Sequence, residues 1–312
     1  MNISTEFKPI GNRIMKKILM MIMAISLIAS CNKTSENTAS KIGNSPDTAT
    51  SSEKTTQEKN TPSANQNQNS PVLGTYTGGF EASEFNETKD YVYENRITIS
   101  IDSVGEDTID GHSVVAGNNR PFKGKFKQEG KSLKAEVAEP GDDQYDGKFS
   151  FTVDADGKTI SGTWTSNDKK LAVTKRKYSL NKKQFKYDAS QGLPTDVQWT
   201  SLYEKNPKFP DQVEALTEDV TKINASAKEL TKKDVENMYK GDLEVIRNAI
   251  YARHGYSFKN RRMRFIFDQF VPWYMPLNTD IRSNLTEIEK KNIDLIKRYE
   301  EHAEKYYDEY GR

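Results

Sequence analysis

Tyr251-Ala252-Arg253-His254-Gly255-Tyr256-Ser257-Phe258 sets three aromatic rings, a guanidinium, an imidazole and a glycine within eight residues. Upstream of it, Leu243, Ile246 and Ile250 fall at the three-and-four spacing of one helix face. Gly255 stands where that helix must stop, because glycine accepts the left-handed backbone of a helix C-cap without steric cost. The stretch therefore reads as a helix end that turns sharply into an aromatic segment, and the C-terminal third of the chain is helical around it.

Outward from the motif, Thr231-x-x-Asp234 predicts a helix start, with Thr231 as N-cap and an acid in the first turn. Val235, Met238 and Tyr239 give that helix an inner face, Gly241 ends it and Asp242 caps the next. Met263, Ile266, Phe267 and Phe270 form a third apolar stripe, after which Pro272 and Pro276 hold Trp273 and Tyr274 in a non-helical segment. Thr286-x-x-Glu289 is a capping box opening a last helix, with Ile288, Leu295, Ile296 and Tyr299 inward. Asn292 falls on that inward stripe, and Arg247 and Asn248 lie near the apolar face of the motif helix. Buried polar groups need partners, so these three are expected to form a network joining the two helices.

Arg247-Asn248, Tyr251 to Gly255, Phe258, Trp273-Tyr274 and Leu285-Thr286-x-x-Glu289-x-x-Asn292 together resemble the bacterial YARHG domain over about residues 227 to 302. The resemblance implies an extracytoplasmic, envelope-associated module without an established catalytic activity.

The region from Val72 to about Leu180 alternates apolar and polar side chains, as in Ile97-Thr98-Ile99-Ser100-Ile101 and Phe149-Ser150-Phe151-Thr152-Val153. That is the period of strands with one buried face. Asp154-Ala155-Asp156-Gly157 predicts a hairpin turn. An apolar-x-Gly-x-aromatic echo recurs in Val72-x-Gly74-x-Tyr76, Phe122-x-Gly124-x-Phe126, Tyr145-x-Gly147-x-Phe149 and Ile160-x-Gly162-x-Trp164, with a partial copy at Ile109-x-Gly111. A missing side chain lets a strand bend or a neighbouring ring cover the gap, which suits a strongly curved sheet. The irregular spacing of the echo argues against a solenoid. Such a barrel is either filled by its own rings or holds a ligand, for which Phe85, Tyr91 and Tyr93 near the mouth are candidates. Glu139, Asp142, Asp143 and Asp146 lack the spacing of a calcium loop and read as a solvated hairpin tip; His112 reads as a surface side chain.

Lys16-Lys17, the apolar run Ile18 to Ile28 and Ala29-Ser30-Cys31 describe a secretory signal ending in a lipobox. The run is short beside the about 20 residues of a spanning helix. Cys31, the chain's one cysteine, is the expected site of lipidation, and acyl chains there would hold the protein on a membrane. Met1 to Ile14 adds nothing to a signal, so initiation at Met15 is expected. Asn32 to Ser70 is polar and cannot offset chain entropy by burial, so it reads as a disordered tether reaching roughly 35 Å. Asn32, where an Asp would resemble an inner-membrane retention signal, favours the outer membrane. Residues 181 to 226, with Trp199, Tyr203, Phe209 and three prolines, read as a connector packed partly on a neighbour, with a short helix over Asp211 to Ile223.

The expected chain is thus a multidomain α+β protein: signal peptide 1–31, tether 32–71, an antiparallel β-barrel or sandwich domain 72–180, connector 181–226, and a small, mostly α-helical YARHG-like domain 227–312. The 46 basic and 45 acidic residues nearly cancel, which gives no global field for nucleic acid. Candidate binding residues are Arg253, His254, Tyr256, Arg261, Arg262, Arg264, Trp273 and Tyr274; Arg247, Asn248, Tyr251, Gly255 and Asn292 are the architectural set. Basic side chains beside rings suit an envelope polymer such as peptidoglycan in an exported protein. No cofactor or metal site is expected, since the two histidines of the C-terminal domain, His254 and His302, lack ligand spacing and do not make a zinc site. The expected function is non-catalytic binding or scaffolding in the envelope. The alternatives are a carrier of a small apolar ligand in the β domain and a hydrolase using His254, with Ser257 and either Asp268 or Asp280 nearby.

Overall fold

The computed structural model describes residues 70–202, 204–206, 209–214 and 216–306. The expected signal peptide, Cys31 and the expected tether up to residue 69 lie outside these residues; Ser70 and Pro71, at the end of the expected tether, are held against the barrel, with the Pro71 carbonyl accepting from Lys182.

Eight strands form a closed antiparallel barrel: β1 (Gly74–Phe85), β2 (Glu94–Val104), β3 (Thr108–Val115), β4 (Asn118–Glu129), β5 (Ser132–Ala138), β6 (Gly147–Val153), β7 (Thr159–Ser166) and β8 (Val173–Lys182). Each strand pairs with its neighbours in sequence, and β8 closes on β1 through Phe80 opposite Tyr178. Closure leaves no sheet edge, and of the two expected architectures the barrel is the one adopted. The Asp154 turn forms as predicted, its Oδ1 accepting from the amides of Lys158 (2.8 Å) and Thr159 (3.0 Å).

The barrel interior is filled. Phe80, Phe122, Phe149, Trp164 and Tyr178 pack ring against ring with centroids 5.8–6.5 Å apart. Two of the echoed glycines are where those rings fit: a Cβ on Gly111 would lie 2.6 Å from Cζ of Phe122, its cross-strand partner, and one on Gly147 would lie 2.5 Å from the Trp164 indole. These rings occupy the middle of the barrel, where an apolar cargo would have to sit to be enclosed. At one end the core turns polar. Glu139 accepts from the Trp164 indole (3.1 Å), the Gly147 amide (2.7 Å) and the Ser113 hydroxyl (3.2 Å), while Asp146 pairs with Arg120 at 3.0 Å. The expected solvated hairpin tip is therefore half buried: Glu139 and Asp146 turn inward and plug the barrel, because the backbone and Arg120 supply the donors that buried carboxylates require.

After the barrel, β9 (Glu204–Asn206) and β10 (Phe209–Glu214) form a two-stranded sheet, followed by a 3-10 turn at Glu218–Thr221. The short helix expected over Asp211 to Ile223 is not adopted. Four helices follow: α1 (Lys232–Val235), α2 (Lys240–Arg253), α3 (Arg261–Phe270) and α4 (Glu287–Tyr306). Their core takes in Leu193, Trp199, Leu202 and Leu216, so the connector is built into the helical domain.

Gly241 and Asp242 lie inside the first turn of α2 and do not separate two helices as expected. Asp242 is buried and accepts from the amide (2.7 Å) and hydroxyl (2.8 Å) of Thr217, pinning the 3-10 turn to α2. Ile288 is exposed, whereas the neighbouring Glu289 is the residue turned inward.

Candidate functional site

The motif helix α2 ends as its sequence requires. Gly255 has φ of 70°, the Tyr256 amide reaches back to the Tyr251 carbonyl (3.1 Å), and the Gly255 amide bonds the Ala252 carbonyl (2.9 Å). The following chain is clamped to residues 277–278. The amides of Leu277 and Asn278 donate to the Gly255 carbonyl at 2.8 and 2.9 Å, and the Asn278 side chain donates to the His254 carbonyl at 2.9 Å.

His254 is 5 % exposed and its Nε2 lies 2.8 Å from Oε2 of Glu289, which is fully buried. Glu289 also accepts from the amide (2.9 Å) and hydroxyl (3.1 Å) of Thr286, and its own amide donates to that hydroxyl (3.2 Å), which completes the expected capping box. Its other oxygen accepts from the Tyr187 hydroxyl (3.1 Å), and the Tyr187 ring stacks on the imidazole at 4.3 Å. Burial raises the Glu289 pKa, but hydrogen bonds from His254, Ser226 and the Thr286 amide outweigh it and hold the carboxyl at about 2. Tyr187 is pushed up to about 12 by burial and by that carboxylate. An ionised Glu289 can only accept, so the shared proton sits on Nε2 of His254. The acid at His254 is Glu289, not Asp268 or Asp280, and the Ser257 hydroxyl accepts from the Gly117 amide, so the grouping weighed for the hydrolase alternative is not the one formed.

Arg253 is also buried. Its Nε donates to the Gln191 carbonyl (2.7 Å), and its guanidinium lies over the Trp273 ring at 5.8 Å. The Trp273 indole donates to the Gly192 carbonyl at 2.8 Å. Together the two side chains grip residues 191–192. Burial lowers the Arg253 pKa to about 10. Tyr274 is buried with its hydroxyl on the Tyr256 carbonyl (2.7 Å), and the half-buried Tyr256 ring stands edge-on to Tyr251 and Phe258.

The basic cluster is likewise engaged. Arg261 bonds the Asp90 carboxylate and the Tyr91 carbonyl (3.1 Å), Arg262 pairs with Glu244 (3.1 Å), and Arg264 donates to the Lys259 carbonyl. These eight candidate binding residues are therefore bonding members of the fold. The expected network between α2 and α4 is also differently wired. Arg247 reaches Glu300 through two bonds of 2.6 and 3.0 Å, while Asn248 bonds the Glu244 carbonyl within its own helix. Asn292 instead holds the 225–230 loop, donating to the Ala225 and Lys228 carbonyls and accepting from the Leu230 amide.

Sequence reasoning missed the seam between the domains. Ser257 of the motif accepts from the Gly117 amide (2.9 Å) at the tip of the β3–β4 hairpin. The Arg96 amide donates to Asp268 of α3 (2.9 Å), and the Arg96 guanidinium donates to the carbonyls of Val271 (2.9 Å) and Tyr274 (2.7 Å). The Gln269 side chain donates to the Glu94 carbonyl at 3.3 Å. Rings gather beside this seam: Phe85 stacks on Tyr91 at 4.6 Å, Tyr93 is 39 % exposed and Phe265 is 43 % exposed. Phe265 shares a helix face with Arg261, which holds the β1–β2 connection at Asp90 and Tyr91, and with Gln269, which bonds Glu94 at the start of β2. Phe85, Tyr91 and Tyr93 thus lie by the helical domain and not at the open mouth. No local pattern marked the seam, since its partners are more than a hundred residues apart in the chain.

No curated protein matches the chain. A family model does match residues 219–301, beginning at the 3-10 turn that Asp242 holds, and that segment of the chain is a YARHG domain.

Proposed function

We propose that this protein is a lipid-anchored, extracytoplasmic scaffold that binds an envelope polymer, with peptidoglycan as the favoured partner, and that it performs no catalysis. The observation that carries the reading is the use of the motif: His254, Arg253 and Ser257 are each spent on internal bonds that shape the domain and dock it on the barrel. The anchored, exported part of the reading rests on the expected signal peptide and lipobox at Cys31 and on the polar composition of Asn32 to Ser70.

Binding is assigned to the rings at the seam and not to the basic cluster, whose arginines already have partners. Tyr93 and Phe265 are rigid rings in contact with water, one on each side of the seam, and these are the side chains to which binding is assigned. The flanking charges are matched, Glu84 with Lys175 (3.3 Å), Glu81 with Lys177 (3.3 Å) and Asp90 with Arg261, which suits the uncharged faces of sugar rings. Full-length protein is expected to sediment with purified peptidoglycan sacculi, and the paired substitution Tyr93→Ala and Phe265→Ala to abolish this while the protein stays folded. Failure of the intact chain to sediment, or sedimentation indifferent to the rings, would overturn the reading. Anchoring is read separately: Cys31→Ala is expected to move the chain from the membrane to the soluble fraction.

A further inference from the structure

The barrel end opposite the seam carries a cavity of about 570 Å³, bounded by the β2–β3, β4–β5 and β6–β7 turns and by residues 70–72. Its volume falls in the range of about 300–1,000 Å³ usual for small-ligand sites, and barrel mouths are a preferred place for them. Apolar atoms of Val72, Val104, Phe126 and Leu133 line it. The Tyr76 hydroxyl braces the wall, donating to the carbonyls of Val72 (2.8 Å) and Gly157 (2.9 Å). Below, the packed rings close the interior, so a long acyl chain cannot enter and the occupant must be compact.

Three charged side chains line the cavity: Glu106, Lys131 and Asp154. Asp154 is engaged by its own turn. Glu106 and Lys131 are exposed and, among the described residues, have no hydrogen-bond or ion-pair partner, although Asp107, Glu129 and Lys125 beside them are all paired. One unpaired carboxylate and one unpaired ammonium therefore stand on neighbouring turns around an apolar hollow.

We propose that the barrel mouth binds a short peptide with free termini and an apolar side chain, its amine on Glu106, its carboxylate on Lys131 and its side chain against Phe126 and Leu133. The site is separate from the ring surface at the seam, so it stands or falls apart from sedimentation with sacculi.

The test uses full-length protein titrated with leucyl-leucine and followed by amide NMR. The expected result is saturable movement of the Val72, Phe126 and Leu133 signals, with a Kd of roughly 0.2 mM for a ligand of about 17 non-hydrogen atoms. Acetyl-leucyl-leucine amide, which lacks both charges, is expected to bind about tenfold more weakly or worse. Glu106→Gln and Lys131→Met, at exposed unpaired positions that leave folding intact, are each expected to weaken binding by a similar factor. Absence of saturable shifts up to about 20 mM, a hundred times that Kd, would overturn the proposal. So would equal binding of the capped peptide, equal binding by both variants, or shifts that map away from the mouth.

Discussion

Glu289 receives hydrogen bonds from His254, Tyr187 and Thr286, three residues on three separate stretches of chain. Held at about 2 against an ordinary 4.5, its carboxyl favours the folded state at any pH above 4.5, and that contribution drains away as pH falls through about 2. The shift corresponds to about 3 kcal/mol. Glu289→Gln, which cannot ionise and must turn an amide N–H toward a donor, is expected to lower stability at pH 7 by about that amount. Urea midpoints taken from pH 7 down to pH 3 should show the variant losing less on acidification than the wild type, and parallel curves would contradict the assignment. At this scale the sequence was half legible. Thr286-x-x-Glu289 announces a capping box from local spacing alone, and the cap forms. What spacing cannot carry is Tyr187, whose hydroxyl reaches the same carboxylate from 102 positions away. His254 was visible as a motif member, but its partner was unreadable because buried acid–imidazole pairs leave no mark in local periodicity.

Helix α2 meets α4 through Arg247 and Glu300, and a doubly bonded guanidinium–carboxylate pair fixes both separation and register. Expectation puts Arg247, Asn248 and Asn292 together in that place, since all three fall near apolar faces, and of the three only Arg247 joins the two helices. Asn248 satisfies itself on its own helix, which a helical backbone always offers to a short polar side chain. Asn292 serves the loop that precedes α1. The correct partner, Glu300, lies eight residues beyond Asn292 on α4, which falls on the same side of the helix and could have been suspected from charge alone. Arg247→Ala should therefore cost about 2 kcal/mol, the loss of a charged hydrogen-bonded pair at a partly shielded site. A double-mutant cycle with Glu300→Ala should return a coupling of about 1–3 kcal/mol, whereas Asn248→Ala with Asn292→Ala should be additive. The strands of the barrel were more legible than the helices' partners. Alternation gives the inward face directly, and two glycines of the echo, Gly111 and Gly147, mark where rings lie. The β9–β10 pairing was lost because prolines and mixed polarity over residues 204–214 mask a short hairpin.

At the scale of the whole molecule, the β3–β4 tip and the start of β2 are tied to the motif and to α3, so barrel and helices are expected to unfold as one transition. Ser257→Ala strips the Gly117 amide of its buried acceptor and should cost about 1–3 kcal/mol. Splitting of the calorimetric peak by this change would show that the seam is what joins the two. Asp268 makes the same seam sensitive to pH. It lies buried between the barrel and α3, accepting from the Arg96 amide and facing the Arg96 and Arg264 guanidinium groups, with Glu94 and Tyr274 also near. Burial is the largest influence and lifts the carboxyl to about 7 in spite of the two arginines. The folded state thus holds a proton that the unfolded chain, with an ordinary value of 3.8, gives up earlier. Asp268 favours folding most below pH 3.8, and the benefit is lost as pH rises through about 7, the opposite slope to that of Glu289. Asp268→Asn keeps an acceptor for Arg96 and stays neutral throughout. Stability of the wild type relative to this variant should fall by roughly 4 kcal/mol between pH 4 and pH 7.5 and then level off. A constant difference over that range would mean that Asp268 is ionised at the seam throughout. In that case the arginines, and not burial, would govern the docking of the YARHG domain on its barrel.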